Sequence, residues 1–118
     1  GVYYASVTGR SDWHTGGSHC NSAASPPFVA AWDGETDPID PLFDIPEMIL
    51  DGGIGNPYPN DGLVRVQDAR WGVFLGCVPA DHMDEIGQLF GDGPGLGNDW
   101  DYLQFYVDLL QYLRDQGM

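Results

Sequence analysis

The sequence predicts an α/β fold, with parallel strands flanked by helices. Two runs rich in β-branched and aromatic residues, 2–7 (VYYASV) and 73–78 (VFLGCV), read as strands. A segment with helical apolar spacing lies between them, and a long amphipathic helix over 98–117 closes the chain. Strand, loop, helix, strand, helix is the rhythm of a sheet with helices on its faces.

The first strand ends at Thr8-Gly9. Residues 10–27 are polar and rich in glycine and serine, a loop that carries Trp13, His14, His19 and Cys20. The short apolar run 28–32 suits either a strand or a helical turn. Residues 33–41 form an acidic loop with two Asp-Pro steps, Asp37-Pro38 and Asp40-Pro41, a dipeptide suited to helix starts: Asp caps and Pro sits in the first turn. Helical spacing follows over 42–50 (Leu42, Ile45, Ile49), interrupted by Pro46, which predicts a short or kinked helix. Residues 51–60 are turn-rich, and a helix-compatible stretch leads into the strand at 73–78. A polar loop then brings His82, with Asp84 and Glu85 directly behind it. In the last helix Asn98 or Asp99 serves as cap, Tyr102, Phe105, Tyr106, Leu109, Leu110 and Leu113 make a wide apolar stripe, and Gly117 is the stop.

A chain of 118 residues suits one small domain or part of a larger one. Four arginines, no lysine and 18 acids give a net charge of −14. That balance excludes a nucleic-acid partner, which requires a basic footprint, and disfavours anionic membranes. It suits an exported protein and can attract divalent cations. No apolar run approaches the ~18 residues of a membrane span. Cys20 and Cys77 either form a disulfide in an oxidising compartment or are buried thiols, and the acidic, lysine-free composition favours the disulfide.

Asp61, at the Asn60-Asp61-Gly62 turn, and His82 are the candidate chemistry. A carboxylate beside a histidine holds the imidazole in one tautomer and stabilises the imidazolium formed during acyl transfer. Acid before histidine is also the order of the last two members of an α/β-hydrolase triad. The nucleophile elbow GxSxG is absent, and Ser6, Ser11, Ser18, Ser22 and Ser25 lie in no such setting. His14 and His19 read as exposed loop histidines, and Trp71, Phe74 and Leu75 as core.

PNDGLV around Asp61 and ADHMDEIGQLFG around His82 resemble the bacterial secreted lipases of the Pseudomonas and Burkholderia type, whose segments read NDGLV and NHLDE followed by V or I and NQ. The likeness covers roughly 40–91, with the opening strand matching loosely. It implies the C-terminal part of an α/β-hydrolase fold, incomplete without an N-terminal chain or segment that carries the GxSxG serine. It further implies a secreted enzyme acting on an ester or lipid (triacylglycerol), with Asp61 orienting His82 and His82 as general base and acid. A structural Ca²⁺ would take carboxylates from Asp40 and Asp84 and backbone carbonyls from Gln88 and Asp92, with a cis peptide at Gln88-Leu89. The chain alone would be inactive. The other reading is a non-catalytic, calcium-stabilised binding or structural module derived from a hydrolase.

Overall fold

The computed structural model describes residues 1–11, 20–38, 40–52, 58–87 and 98–118. Two parallel strands, β1 (Ala5–Gly9) and β2 (Val73–Val78), form its sheet. Around them lie four helices: α1 (Pro27–Ala30), α2 (Asp44–Leu50), α3 (Val66–Ala69) and α4 (Tyr102–Asp115). This is an α/β arrangement, as the alternation of strand and helix patterns predicts. His14 and His19 lie outside the described residues.

β1 begins later than expected. Val2, Tyr3 and Tyr4 are exposed, and pairing starts at Ala5 opposite Val73. A strand is delimited by its partner: β2 begins after Gly72, whose φ of 63° turns the chain into the sheet. Ser6 pairs with Phe74 and Thr8 with Cys77, so two steps on β1 face three on β2. The extra residue makes a bulge on β2, where Gly76 has φ 121° and a side chain would strike Asn21 and Val29.

The run at 28–32 resolves as a helical turn, with α1 ending at Ala30 and a turn following. Pro27 occupies the first turn of α1, where its fixed φ is favourable and its missing N–H is no loss. Pro46 is likewise at the third position of α2, where the N–H has no intrahelical partner, so no kink is needed. Neither Asp-Pro step caps a helix through its side chain, since Phe43 holds the N-cap position of α2. The apolar spacing of α2 faces outward, with Ile45, Met48 and Ile49 exposed.

Asp101, rather than Asn98 or Asp99, caps α4, its carboxylate accepting from the N–H groups of Leu103 and Gln104 at 2.8 and 3.2 Å. Asn98 is used elsewhere: its side chain donates to the Pro79 carbonyl at 2.8 Å and accepts from Trp100 N–H at 3.0 Å. Of the expected stripe, Phe105 is buried, Tyr102, Leu109 and Leu113 are half-buried, and Tyr106 and Leu110 are exposed. A sheet of two strands covers only part of so wide an apolar face.

The main core joins Val29, Val78, Ala80, Trp100 and Phe105. Phe105 stacks at a tilt between Phe28 and Trp100, with ring centroids 5.7 and 5.6 Å away. A second cluster gathers Val66 and Phe74 about the Cys20–Cys77 disulfide, whose Cα atoms are 5.8 Å apart. Leu75 is buried as expected, but Trp71 is 65% exposed, its ring tilted against Tyr4 with centroids 4.5 Å apart. Among the described residues no helix is long and apolar enough to cross a membrane.

Candidate functional site

Asp61 lies in the turn expected for it. Its Oδ1 accepts from the N–H groups of Leu63 and Val64 at 2.9 and 2.6 Å, a local side-chain-to-backbone closure for which aspartate is suited. Asn60 fastens the same turn, its Oδ1 accepting from Gly62 N–H at 2.8 Å. Gly62 follows with φ 92°, a conformation that favours glycine. With Oδ1 committed to the turn, Oδ2 is left for a partner across the fold.

That partner is His82. Its Nδ1 lies 2.8 Å from Asp61 Oδ2, and its backbone N–H donates to the Asp61 carbonyl at 2.8 Å. β2 delivers the histidine: Val78 ends the strand, buried Ala80 anchors the exit in the core, and buried Asp81 leads directly into half-buried His82. The Asp61 side chain is 3% exposed and that of His82 39%. Nε2 takes no hydrogen bond from the described residues. An imidazole held at Nδ1 by a buried carboxylate, with its other nitrogen free, can accept and return a proton.

Glu85 completes this group. It lies in a single 3₁₀ turn, Asp84–Ile86, and its Oε1 accepts from Gly9 N–H, at the end of β1, at 2.6 Å. Ligand atoms of Asp61, His82 and Glu85 all lie within 4.8 Å of one another. Partial burial works to lower the His82 pKa. The Asp61 hydrogen bond and the charges of Asp61, Glu85 and Asp81 outweigh it, so the pKa is raised. Burial, then the neighbouring Asp61, pushes Glu85 up to about 7, against the opposing pull of Gly9 N–H and His82.

Behind the histidine sits a second group. Asp37, Asp81 and Asp84 are at most 4% exposed, and their carboxylate oxygens lie within 4.8 Å of one another. Asp81 Oδ1 accepts from the N–H groups of Met83 and Asp84 at 2.8 and 3.0 Å, and Asp37 Oδ2 accepts from Asp81 N–H at 3.2 Å. Burial, the Asp37 hydrogen bond and the charges of Asp81, Asp37 and Asp40 push Asp84 up to about 8. Three buried carboxylates so close repel unless a proton or a cation sits among them, so this group could hold a metal ion.

Of the residues expected to hold a metal, Asp84 groups with Asp37 and Asp81. Asp40 lies beside them: its backbone N–H donates to Asp81 Oδ2 at 3.2 Å and its charge acts on Asp84. Gln88 and Asp92, with the Gln88-Leu89 peptide, lie outside the described residues. Asp81 was not singled out in the sequence, although it stands immediately before His82.

No serine among the described residues hydrogen-bonds to His82. Ser6 Oγ accepts from Trp71 N–H at 2.9 Å, Ser22 Oγ donates to the Phe74 carbonyl at 2.7 Å, and Ser25 Oγ accepts from Ser22 N–H at 2.8 Å.

Compared with models of known protein families, with curated proteins and with solved structures, the chain shows no match.

Proposed function

We propose that this chain supplies the acid and the base of a serine-type carboxylic ester hydrolase of the secreted lipase kind. The observation that carries the reading is the 2.8 Å contact between His82 Nδ1 and a buried Asp61 carboxylate whose other oxygen is committed to its own turn. Such a carboxylate cannot rotate away, so the ring is held in one tautomer with Nε2 available. In the reaction Nε2 takes the proton from a serine hydroxyl as it attacks the ester carbonyl, then returns it to the leaving alcohol. The same nitrogen next deprotonates a water that releases the acid from the acyl-enzyme. Asp61 steadies the imidazolium at each step.

The serine and its oxyanion donors belong, in this proposal, to an N-terminal hydrolase segment or a second chain bearing GxSxG. The substrate is an ester or lipid. A Ca²⁺ ion fits the Asp37, Asp81 and Asp84 cluster, because calcium prefers hard carboxylate oxygens and would relieve their mutual repulsion. Its contribution would be structural, tying the Asp37 segment to the loop that presents His82. The Cys20–Cys77 disulfide accords with a secreted protein.

The other reading, a calcium-stabilised binding or structural module without catalysis, draws on the lack of a described serine beside His82. One assay separates them. The chain by itself should not hydrolyse a p-nitrophenyl ester, whereas the chain with its GxSxG-bearing partner should; a partnered chain without activity favours the module.

A further inference from the structure

A cleft between α1 and the start of α4 takes no part in the chemistry above. We infer that it binds a small organic ammonium that also carries an oxygen, an amino alcohol of the choline kind. The inference stands apart from the reading of Asp61 and His82.

The cleft measures about 280 Å³, close to the lower end of the roughly 300–1,000 Å³ of small-molecule sites. Four aromatic rings line it: Phe28 and Trp32 on the side of α1, Trp100 and Phe105 on the side of α4. Phe28 and Trp32 are half-buried, so part of each ring stays open to a ligand. Ring faces attract a cation, and those of tryptophan do so most strongly.

The charged groups around these rings are of one sign. Asp99, Asp101 and Asp108 line the cleft, and none of the four arginines does. Asp101 commits Oδ1 to the cap of α4, and Asp108 commits Oδ1 to the Gln104 amide at 2.9 Å, so each keeps its second oxygen. In a chain of net charge −14, such a cleft attracts a cation and repels an anion. By accepting from two first-turn N–H groups, Asp101 also offsets the positive end of α4.

Trp100 supplies the remaining group. Its side chain is buried, the residue being 4% exposed, and its Nε1–H has no hydrogen-bond partner among the described residues. A buried donor left unmatched is costly, and the oxygen of an amino alcohol would accept from it. The same ring borders a second cavity of about 30 Å³, too small for this ligand, so the response of its N–H is decisive.

The test is NMR titration of the chain with choline chloride, following the ligand's methyl protons and the Trp100 Nε1–H, which is assigned by its loss in Trp100→Phe. The methyl signal should move upfield under the rings and the indole N–H should move with it, both saturating together. The carbon analogue of choline, with C in place of N⁺, should bind about tenfold more weakly. Trp32→Ala should weaken choline roughly 3- to 30-fold, as the loss of one cation–π contact does. Asp99→Asn combined with Asp108→Asn should weaken it too and flatten its salt dependence, and this pair carries the test should Trp32→Ala fail to fold. Choline that moves neither signal, or moves its methyls while Nε1–H stays still, would overturn the inference. So would equal binding of the carbon analogue, or methyl glucoside taking the cleft in place of choline.

Discussion

His82 and Asp61, 21 residues apart, are joined twice at 2.8 Å: ring Nδ1 to carboxylate Oδ2, and backbone N–H to backbone carbonyl. The double link fixes both the origin and the direction of the imidazole. It also makes Asp61 structural as well as chemical, because the same side chain closes its own turn.

Removing the Asp61 side chain should therefore destabilise the fold. Asp61→Ala leaves the N–H groups of Leu63 and Val64 without their acceptor, at about 1–3 kcal/mol for each that remains buried. Asp61→Asn keeps an oxygen for the turn and should lose less. Urea unfolding of both variants checks this, and equal stabilities would contradict it.

His82 should titrate above the ordinary histidine value, and Asp61→Asn should bring its midpoint down. The sign for stability follows. A pKa raised in the folded state favours folding fully below the unfolded value, and that contribution is lost as pH rises through the folded value. In the proposed reaction, the limb that needs neutral His82 should move down with the midpoint. NMR titration of the ring measures it; an unchanged midpoint in Asp61→Asn would be contrary.

Metal binding should depend on Asp37 and Asp84 more than on Asp40. Chelation should lower the melting temperature, Asp37→Asn and Asp84→Asn should abolish that sensitivity, and Asp40→Asn should retain it. Asp84 at about 8 and Glu85 at about 7 are both raised, so the chelated chain should lose stability as pH climbs from the ordinary carboxylate range towards 8. Calcium should flatten that fall. Melting curves that ignore both EDTA and pH would dismiss the site.

Reduction of Cys20–Cys77 should also be costly. The bridge closes a separation of 57 residues, for which chain entropy gives about 4 kcal/mol. Denaturant unfolding of a Cys20→Ala, Cys77→Ala double variant reads this directly, and a loss near zero would speak against a stabilising bridge.

What could be read from the residues divides by the range of the interactions. The β2 strand at Val73–Val78 and the turn at Asp61 were legible because an apolar run and an Asp-Gly step act locally. The start of β1 was not, since VYYASV is uniformly strand-like and only the partner beginning at Val73 selects Ala5. Asn98, Asp99 and Asp101 are all competent caps; Asn98 is drawn off by the Pro79 carbonyl, leaving Asp101. Asp37 and Asp40 stand in equivalent Asp-Pro steps, and only packing against Asp81 makes the Asp37 carboxylate an acceptor from Asp81 N–H and the Asp40 amide a donor to Asp81 Oδ2. Glu85 gains its place from Gly9, a contact no local pattern encodes.

The most direct measurement is p-nitrophenyl butyrate hydrolysis by the chain assembled with the proposed GxSxG-bearing partner, with and without His82→Ala. The proposal predicts hydrolysis that falls by roughly 10⁴-fold or more when the imidazole is removed. Activity of the assembly that survives His82→Ala undiminished would contradict it.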